Sequence, residues 1–301
     1  MPSRLYPILE EKNQHPRDRH IRFEEVGHKY TVLTDPHTAY TSVTTLIHQQ
    51  FPVFDADTIL RNMMRGPNWK KGHKYWGMTA EQIKKQWSTA GDASSGAGTT
   101  LHYEIECFMN SRDFDITEAT YTHDDLWQNY LERRSEGQTV EGMGMRDAPE
   151  WQFFLTYVQT FPTLEPYRTE WLIYHEEWRL AGSIDMVYRN PDDSLMIYDW
   201  KRSKGITKKT PFSKFAITPC LSHLPDTNYW HYSLQLNLYK AVLQDKYGKQ
   251  VTRLCLVRLH PDAEEETYEL LEVPDLQKEV HELMAQRVRE GTQGATDTAH
   301  V

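Results

Sequence analysis

The spacing of apolar residues changes character twice along this chain. Leu101, Ile105 and Phe108 recur at i, i+4 and i+7, the stripe of a helix buried on one side. Trp151, Phe154, Leu155 and Val158 repeat that spacing and predict a second helix over 150–161. Between Tyr167 and Tyr198 the pattern shortens to runs rich in aromatic and β-branched residues. It predicts three strands, Glu170–Tyr174, Arg179–Tyr188 and Ser194–Asp199, the last two joined by the turn sequence Asn190-Pro191-Asp192-Asp193. A helix over 229–245, ending near Gly248, precedes a fourth strand over Val251–Leu259 and a helix over Leu276–Arg289. From Gly291 onward the chain is expected to fray. Upstream, residues 21–47 read as short strands leading into a helix, with Thr41, Ser42, Thr44 and Thr45 suited to its N-cap. Residues 52–92 read as helical pieces broken at Gly66-Pro67 and Gly72. The small, Gly-rich stretch Asp92–Gly98 is predicted to be a loop from which the helix over 99–110 starts.

The order helix, strand, strand, strand, helix, strand predicts a mixed α/β fold of the α+β kind. Three hairpin-linked strands form a sheet, a helix–strand unit extends it, and helices cover its faces. The length of 301 residues exceeds what one small core needs. The expected division is an N-terminal extension over 1–92, mostly a helical cap or arch, and a core over 93–265. An insertion near 111–148 carries a connecting helix around Leu126–Leu131, and a C-terminal helix and tail occupy 266–301.

Composition narrows the function classes. Hydrophobic residues make up 39% and charged residues 26%, ordinary for a soluble globular protein, and no apolar run approaches the ~20 residues that span a bilayer. Met1 to His20 is polar and carries both signs of charge, unlike a signal or transit peptide, so an intracellular, soluble location without membrane contact is expected. Three scattered cysteines, Cys107, Cys220 and Cys255, exclude a disulfide framework and a zinc or iron–sulfur site made of cysteines alone. The net charge of −9 disfavours a broadly basic binding face, but local patches decide what a ligand meets. Lys201, Arg202, Lys204, Lys208, Lys209 and Lys214 follow one another without an intervening acid. Lys70, Lys71 and Lys74 are interleaved with Trp69 and Trp76.

Candidate chemistry concentrates in the strands. Asp199 and Lys201 are two apart and project from one face of their strand, and Asp185 on a paired strand can sit beside them. Two close carboxylates repel unless a cation lies between them. A hard divalent ion such as Mg²⁺ supplies that charge and takes phosphate oxygens as further ligands. Lys201 can orient a water or contact a phosphate. His102 and Glu106, four apart, share a helix face, and Gln235 and Tyr239 repeat the spacing on the later helix beside Leu234 and Leu238.

Taken in order, Gly98-Thr99-x-x-His102-x-x-x-Glu106, Glu170, Gly182-x-x-Asp185, Asp199-Trp200-Lys201 and Gln235-x-x-x-Tyr239 resemble the motif series of RecB-type PD-(D/E)xK nucleases. Ile197-Tyr198-Asp199-Trp200-Lys201-Arg202-Ser203 and Ser42-Val43-Thr44 are most similar to the mitochondrial genome maintenance exonuclease branch and similar viral and phage exonucleases. The resemblance covers roughly residues 40–260. It implies a restriction-endonuclease-like αβββαβ core with a mixed sheet flanked by helices. It also implies a Mg²⁺-dependent DNA nuclease, with Mn²⁺ substituting, acting on single strands or free ends in recombination, repair or genome maintenance beside unidentified replication or recombination proteins. His102, Asp185, Asp199 and the Trp200 carbonyl would hold the metal. Lys201 would act on the attacking water and the phosphate, and Glu170 would hold a water on the ion or a second ion. Gln235 and Tyr239 would support the site or touch DNA. Arg202, Lys204, Lys208 and Lys209, with Lys70, Lys71 and Lys74, would contact DNA.

The chain departs from the pattern in lacking the four cysteines of iron–sulfur relatives and in lacking a phosphate-binding G-x-x-x-x-G-K-[ST] loop. Pro211–Tyr229 is longer than a minimal core needs. Three other readings stand beside the nuclease: a catalytically silent nucleic-acid-binding module of the same fold, a metal-dependent hydrolase or phosphotransferase of small phosphate esters, and a structural or interaction protein.

Overall fold

A computed structural model describes residues 8–111, 121–138, 140–142, 145–210 and 214–297. Parts of the predicted insertion (112–120, 139, 143 and 144), of the stretch Pro211–Tyr229 (211–213) and of the tail (298–301) lie outside the described residues.

The predicted strands form the middle of a mixed sheet. β4 (Glu165–His175), β5 (Leu180–Arg189) and β6 (Leu195–Lys201) run antiparallel in sequence. The β5–β6 turn is fixed by side chains. Asp192 Oδ1 accepts from the Ser194 backbone at 3.1 Å and from Ser194 Oγ at 2.6 Å. Asp193 takes φ +63°, which the short polar side chains of Asp and Asn tolerate. Helix α7 (Asn228–Lys246) then carries the chain to β7 (Val251–Arg258), parallel to β6. β8 (Glu269–Glu272) adds antiparallel to β7, and the two-residue β3 (Thr41–Ser42) pairs parallel with Leu180 and Ala181 of β5.

Residues alternate along β6 between two cores. Leu195 and Ile197 join Val43 and Leu46 of α2 (Val43–His48), Leu234 and Leu238 of α7, and Val280 of α8 (Gln277–Asp297). Met196, Tyr198 and Trp200 join Leu101 and Phe108 of α4 (Ala80–Met109), Leu126 of α5 (His123–Ser135), and Trp151 and Phe154 of α6 (Pro149–Thr160). A sheet buried on both faces by helices is the layered architecture that the element order predicts.

The N-terminal segment is tied to this sheet. It holds α1 (Ile8–Lys12), a hairpin of β1 (Ile21–Glu24) and β2 (Lys29–Val32), then β3, α2 and α3 (Ala56–Arg65). Arg168 on β4 donates to Asp18 at 2.6 Å, and Trp171 Nε1 donates to the other Asp18 oxygen at 2.9 Å. Among the described residues no helix is long and apolar enough to cross a membrane.

Three local expectations are corrected. Asp92–Gly98 is not a loop, because α4 runs unbroken through it, and the helix carrying His102 starts at Ala80, twenty-two residues earlier. A capping box at Thr79 and Gln82 fixes one end of this helix, and the buried Leu101–Met109 stripe fixes the other. Thr99 and Thr100 bond back to the carbonyls of Ser95 and Gly96. A helix held at both ends can carry three glycines, each costing about 1 kcal/mol relative to alanine. The C-terminal helix passes Gly291 and continues to Asp297. α7 is buried around most of its circumference, Gln235 and Tyr239 included, rather than on the Leu234–Leu238 side alone.

Candidate active site

The candidate residues gather where one edge of β5 is shared between two strands. β4 lines the opposite edge of β5 along its length. On the shared edge β3 pairs with Leu180 and Ala181, and β6 pairs with Met186 to Arg189. Among the described residues, no strand lies beside the backbone from Gly182 to Asp185 there. Asp185 meets this opening with its side chain, whose Oδ2 accepts the Trp200 N–H at 3.1 Å. Ile184 packs in one core and Met186 in the other, so the two-residue alternation slips at Asp185.

Glu170 falls opposite Asp185 in the register set by Thr169↔Met186 and Trp171↔Ile184. Its backbone lies at φ +43°, a left-handed conformation that costs a non-glycine residue on the order of 1 kcal/mol. Ser183 Oγ donates to Glu170 Oε2 at 2.8 Å. His102 arrives from α4, with Nδ1 3.5 Å from Asp185 Oδ2 and Nε2 2.9 Å from the Trp200 carbonyl oxygen. One ligand atom each from His102, Glu170 and Asp185 lie within 4.8 Å of one another.

A second group forms against α7. Asp199 Oδ2 lies 2.6 Å from Lys201 Nζ, and among the described residues Asp199 Oδ1 has no hydrogen-bond partner although the residue is 1% exposed. Lys201 Nζ also donates to Gln235 Oε1 at 3.4 Å and stands 4.4 Å above the Tyr232 ring. Gln235 Nε2 donates to Tyr239 Oη at 3.1 Å. Gly182 is the floor for this tyrosine: a Cβ there would lie 2.7 Å from Tyr239 Cε1 and 3.2 Å from Val43 Cγ2.

The electrostatics differ between the groups. Burial, and then the Asp185 carboxylate, push the Glu170 carboxyl up to about 7 against the opposing pull of His102. Burial pushes Asp199 up to about 6, with Lys201 opposing and Asp185 adding. Burial alone would lower the Lys201 ammonium, but Asp199 and Asp185 outweigh it and hold the group above its ordinary value. The first cluster is thus deficient in positive charge, and the second contains its own cation. Two carboxylate oxygens and one imidazole nitrogen suit a hard or borderline divalent ion. Asp199 Oδ1, buried and without a partner among the described residues, is a further oxygen that such an ion would satisfy.

The remaining candidates are dispersed. Arg202 donates to the buried Glu150 at 2.9 Å, and Lys204 pairs with Asp262 at 2.9 Å. Lys208 stands 4.6 Å above the Tyr229 ring, and Lys204, Lys208 and Lys209 are exposed. Lys70, Lys71 and Lys74 are exposed on turns between α3 and α4, beside Trp69 and Trp76 with ring centroids 5.9 Å apart. Sequence reasoning passed over Ser183 and Tyr232. Ser183 stands two residues before Asp185, and Tyr232 stands three before Gln235 on one helix face, so spacing alone held both signals.

No protein-family model and no curated protein matches this chain. Among solved structures, a protein of Eubacterium rectale described as a "putative exonuclease" aligns over 58% of this chain and 71% of its own, with 14% identity and a TM-score of 0.31.

Proposed function

We propose that this protein is a divalent-metal-dependent nuclease that hydrolyses DNA phosphodiester bonds, acting on ends or single strands. The observation that carries the reading is the convergence of His102, Glu170 and Asp185 within 4.8 Å beside the Asp199–Lys201 pair. The ordered motifs of the sequence support the same chemistry. His102, Glu170 and Asp185 would hold the ion, with Asp199 and the Trp200 carbonyl oxygen at its margin. Mg²⁺ or Mn²⁺ bound there supplies Lewis-acid stabilisation of the charge that develops on the phosphoryl oxygens.

The protein's own groups do the rest. Lys201 keeps its proton, and its Nζ is held between Asp199 and Gln235, so it offers an N–H to a phosphate oxygen. The Tyr239–Gln235 hydrogen bond fixes the amide so that its oxygen faces the ammonium. The exposed lysines at 204, 208 and 209, and those at 70, 71 and 74, would meet the nucleic-acid backbone.

The test is cleavage of end-labelled single- and double-stranded DNA, linear and circular, with Mg²⁺, Mn²⁺ or chelator. Asp185→Asn and Lys201→Ala are expected to abolish metal-dependent cutting, and circles are expected to survive. Cutting of circles would turn the reading to an endonuclease. A folded wild-type protein that binds DNA and never cuts it would sink the enzyme and leave a binding module.

A further inference from the structure

A pocket of about 170 Å³ opens between α2 and α7 beside the active-site lysine. Asn228, His231, Tyr232 and Gln235 line it from one face of α7, at the i, i+3, i+4, i+7 spacing of a single helical stripe. Thr44 and His48 of α2 line it from across the gap. None of these six is a carboxylate.

The two ends of the pocket differ from its middle. At one end Gln235 accepts from Lys201 Nζ, and the Tyr232 ring lies under the same ammonium. At the other end Asn228 clamps the basic segment: its Oδ1 accepts from the Thr207 backbone at 3.0 Å and its Nδ2 donates to the Gly205 carbonyl at 2.7 Å. Lys204 and Lys208, both exposed, flank that clamp in the chain. Seven helical residues separate the ends, about 10 Å. Between them stand an aromatic ring, a hydroxyl and two imidazoles. His231 is bonded to Asp226 at 3.0 Å and packed on Phe51 with ring centroids 3.9 Å apart, and burial lowers its basicity, so it is a neutral wall. Lysines beyond both ends and an aromatic lining without a carboxylate match a nucleotide with a phosphate on each side.

We propose that the pocket between α2 and α7 seats the nucleotide adjoining the scissile phosphate, with its base against Tyr232 and with Thr44 and His48 as the opposing wall. The identity of the ligand rests on the nuclease reading. The geometry adds a binding site outside the metal-holding cluster and gives the segment Thr44–His48 a task.

The test is a calorimetric titration with thymidine 5′-monophosphate, thymidine and inorganic phosphate, in Ca²⁺ and in chelator. Wild type is compared with a Thr44→Ala/His48→Ala double variant and with Lys278→Ala, an exposed lysine of α8, as a surface control. Both pocket residues are exposed, so the fold should tolerate the change, and thermal unfolding checks that it does. Wild type and Lys278→Ala should bind the mononucleotide at least 10-fold more tightly than phosphate or the nucleoside. The double variant should lose at least 5-fold of that affinity. Absence of saturable mononucleotide binding, or equal affinity in the double variant, overturns the proposal. Binding of the expected pattern by a protein that cuts no DNA would leave the pocket standing and remove the nuclease reading alone.

Discussion

Single residues set the sign of the response to pH, and to a divalent ion, that is expected of the site. Glu170 holds its proton up to about pH 7 and would lose it near 4.5 in an unfolded chain. The folded state therefore binds more protons, and this group's contribution to stability is full below about pH 4.5 and is lost as pH rises through 7. A bound divalent ion removes that penalty. The rise in Tm caused by Mn²⁺ is thus expected to be larger at pH 8 than at pH 5.5. Glu170→Gln should raise the metal-free Tm at pH 8 and abolish most of the Mn²⁺ effect. A variant that keeps the whole metal response would remove Glu170 from the ligand set. His123 works in the opposite direction. It is fully buried in the second core, 2.9 Å from Tyr188 Oη, and burial lowers its pKa from 6.5 to about 3. The unfolded chain binds the extra proton, so stability is full above pH 6.5 and falls as pH drops toward 3, by about 2 kcal/mol at pH 5. His123→Gln should flatten that acid limb in denaturant titrations at pH 5 and pH 7.5; an unchanged slope would assign acid sensitivity to other groups. Asp185, Asp199 and Lys201 were legible because strand periodicity and charge bring such residues together. The left-handed backbone of Glu170 was not, because a glutamate carries no signal for positive φ; only the pairing of β4 with β5 imposes it.

Elements respond through packing. The Tyr239 ring lies on bare backbone at Gly182, so Gly182→Ala is expected to cost about 1–3 kcal/mol by overpacking and to loosen the Gln235 tether of Lys201. Tyr239→Phe removes the tether without the clash and should reduce cutting with a smaller loss of stability. A Gly182→Ala protein of unchanged Tm and full activity would contradict this packing. In α4, Gly96 and Gly98 have nothing among the described residues within 4 Å of where a Cβ would stand, apart from the helix's own backbone. Gly96→Ala and Gly98→Ala together should stabilise the helix by about 1 kcal/mol each and raise Tm by a few degrees; a fall would mean that the helix is interrupted there. The same residues explain why the segment reads as a loop. Glycine and serine lower helix propensity locally, while the cap at Thr79 and the stripe from Leu101 act from either side and outside any short window. The strands β4 to β7 were readable from their apolar runs. β3 and β8, with two and four residues, are too short to show a period and exist because a longer neighbour offers an edge.

At the scale of the whole molecule, the active-site opening depends on segments far apart in sequence. β4, β5 and β6 are joined by short turns and can zip locally. Residues 41–42 must instead find Leu180 and Ala181, about 140 residues away along the chain. Closing so long a loop is entropically expensive and slow. The contact brings α2, with Thr44 and His48, alongside α7. A newly made chain is therefore expected to complete its β4–β6 hairpins before Thr44 and His48 reach α7. On the proposed reading, assembly in this order would postpone substrate capture to the end of folding, and an immature molecule would lack a seat for the strand.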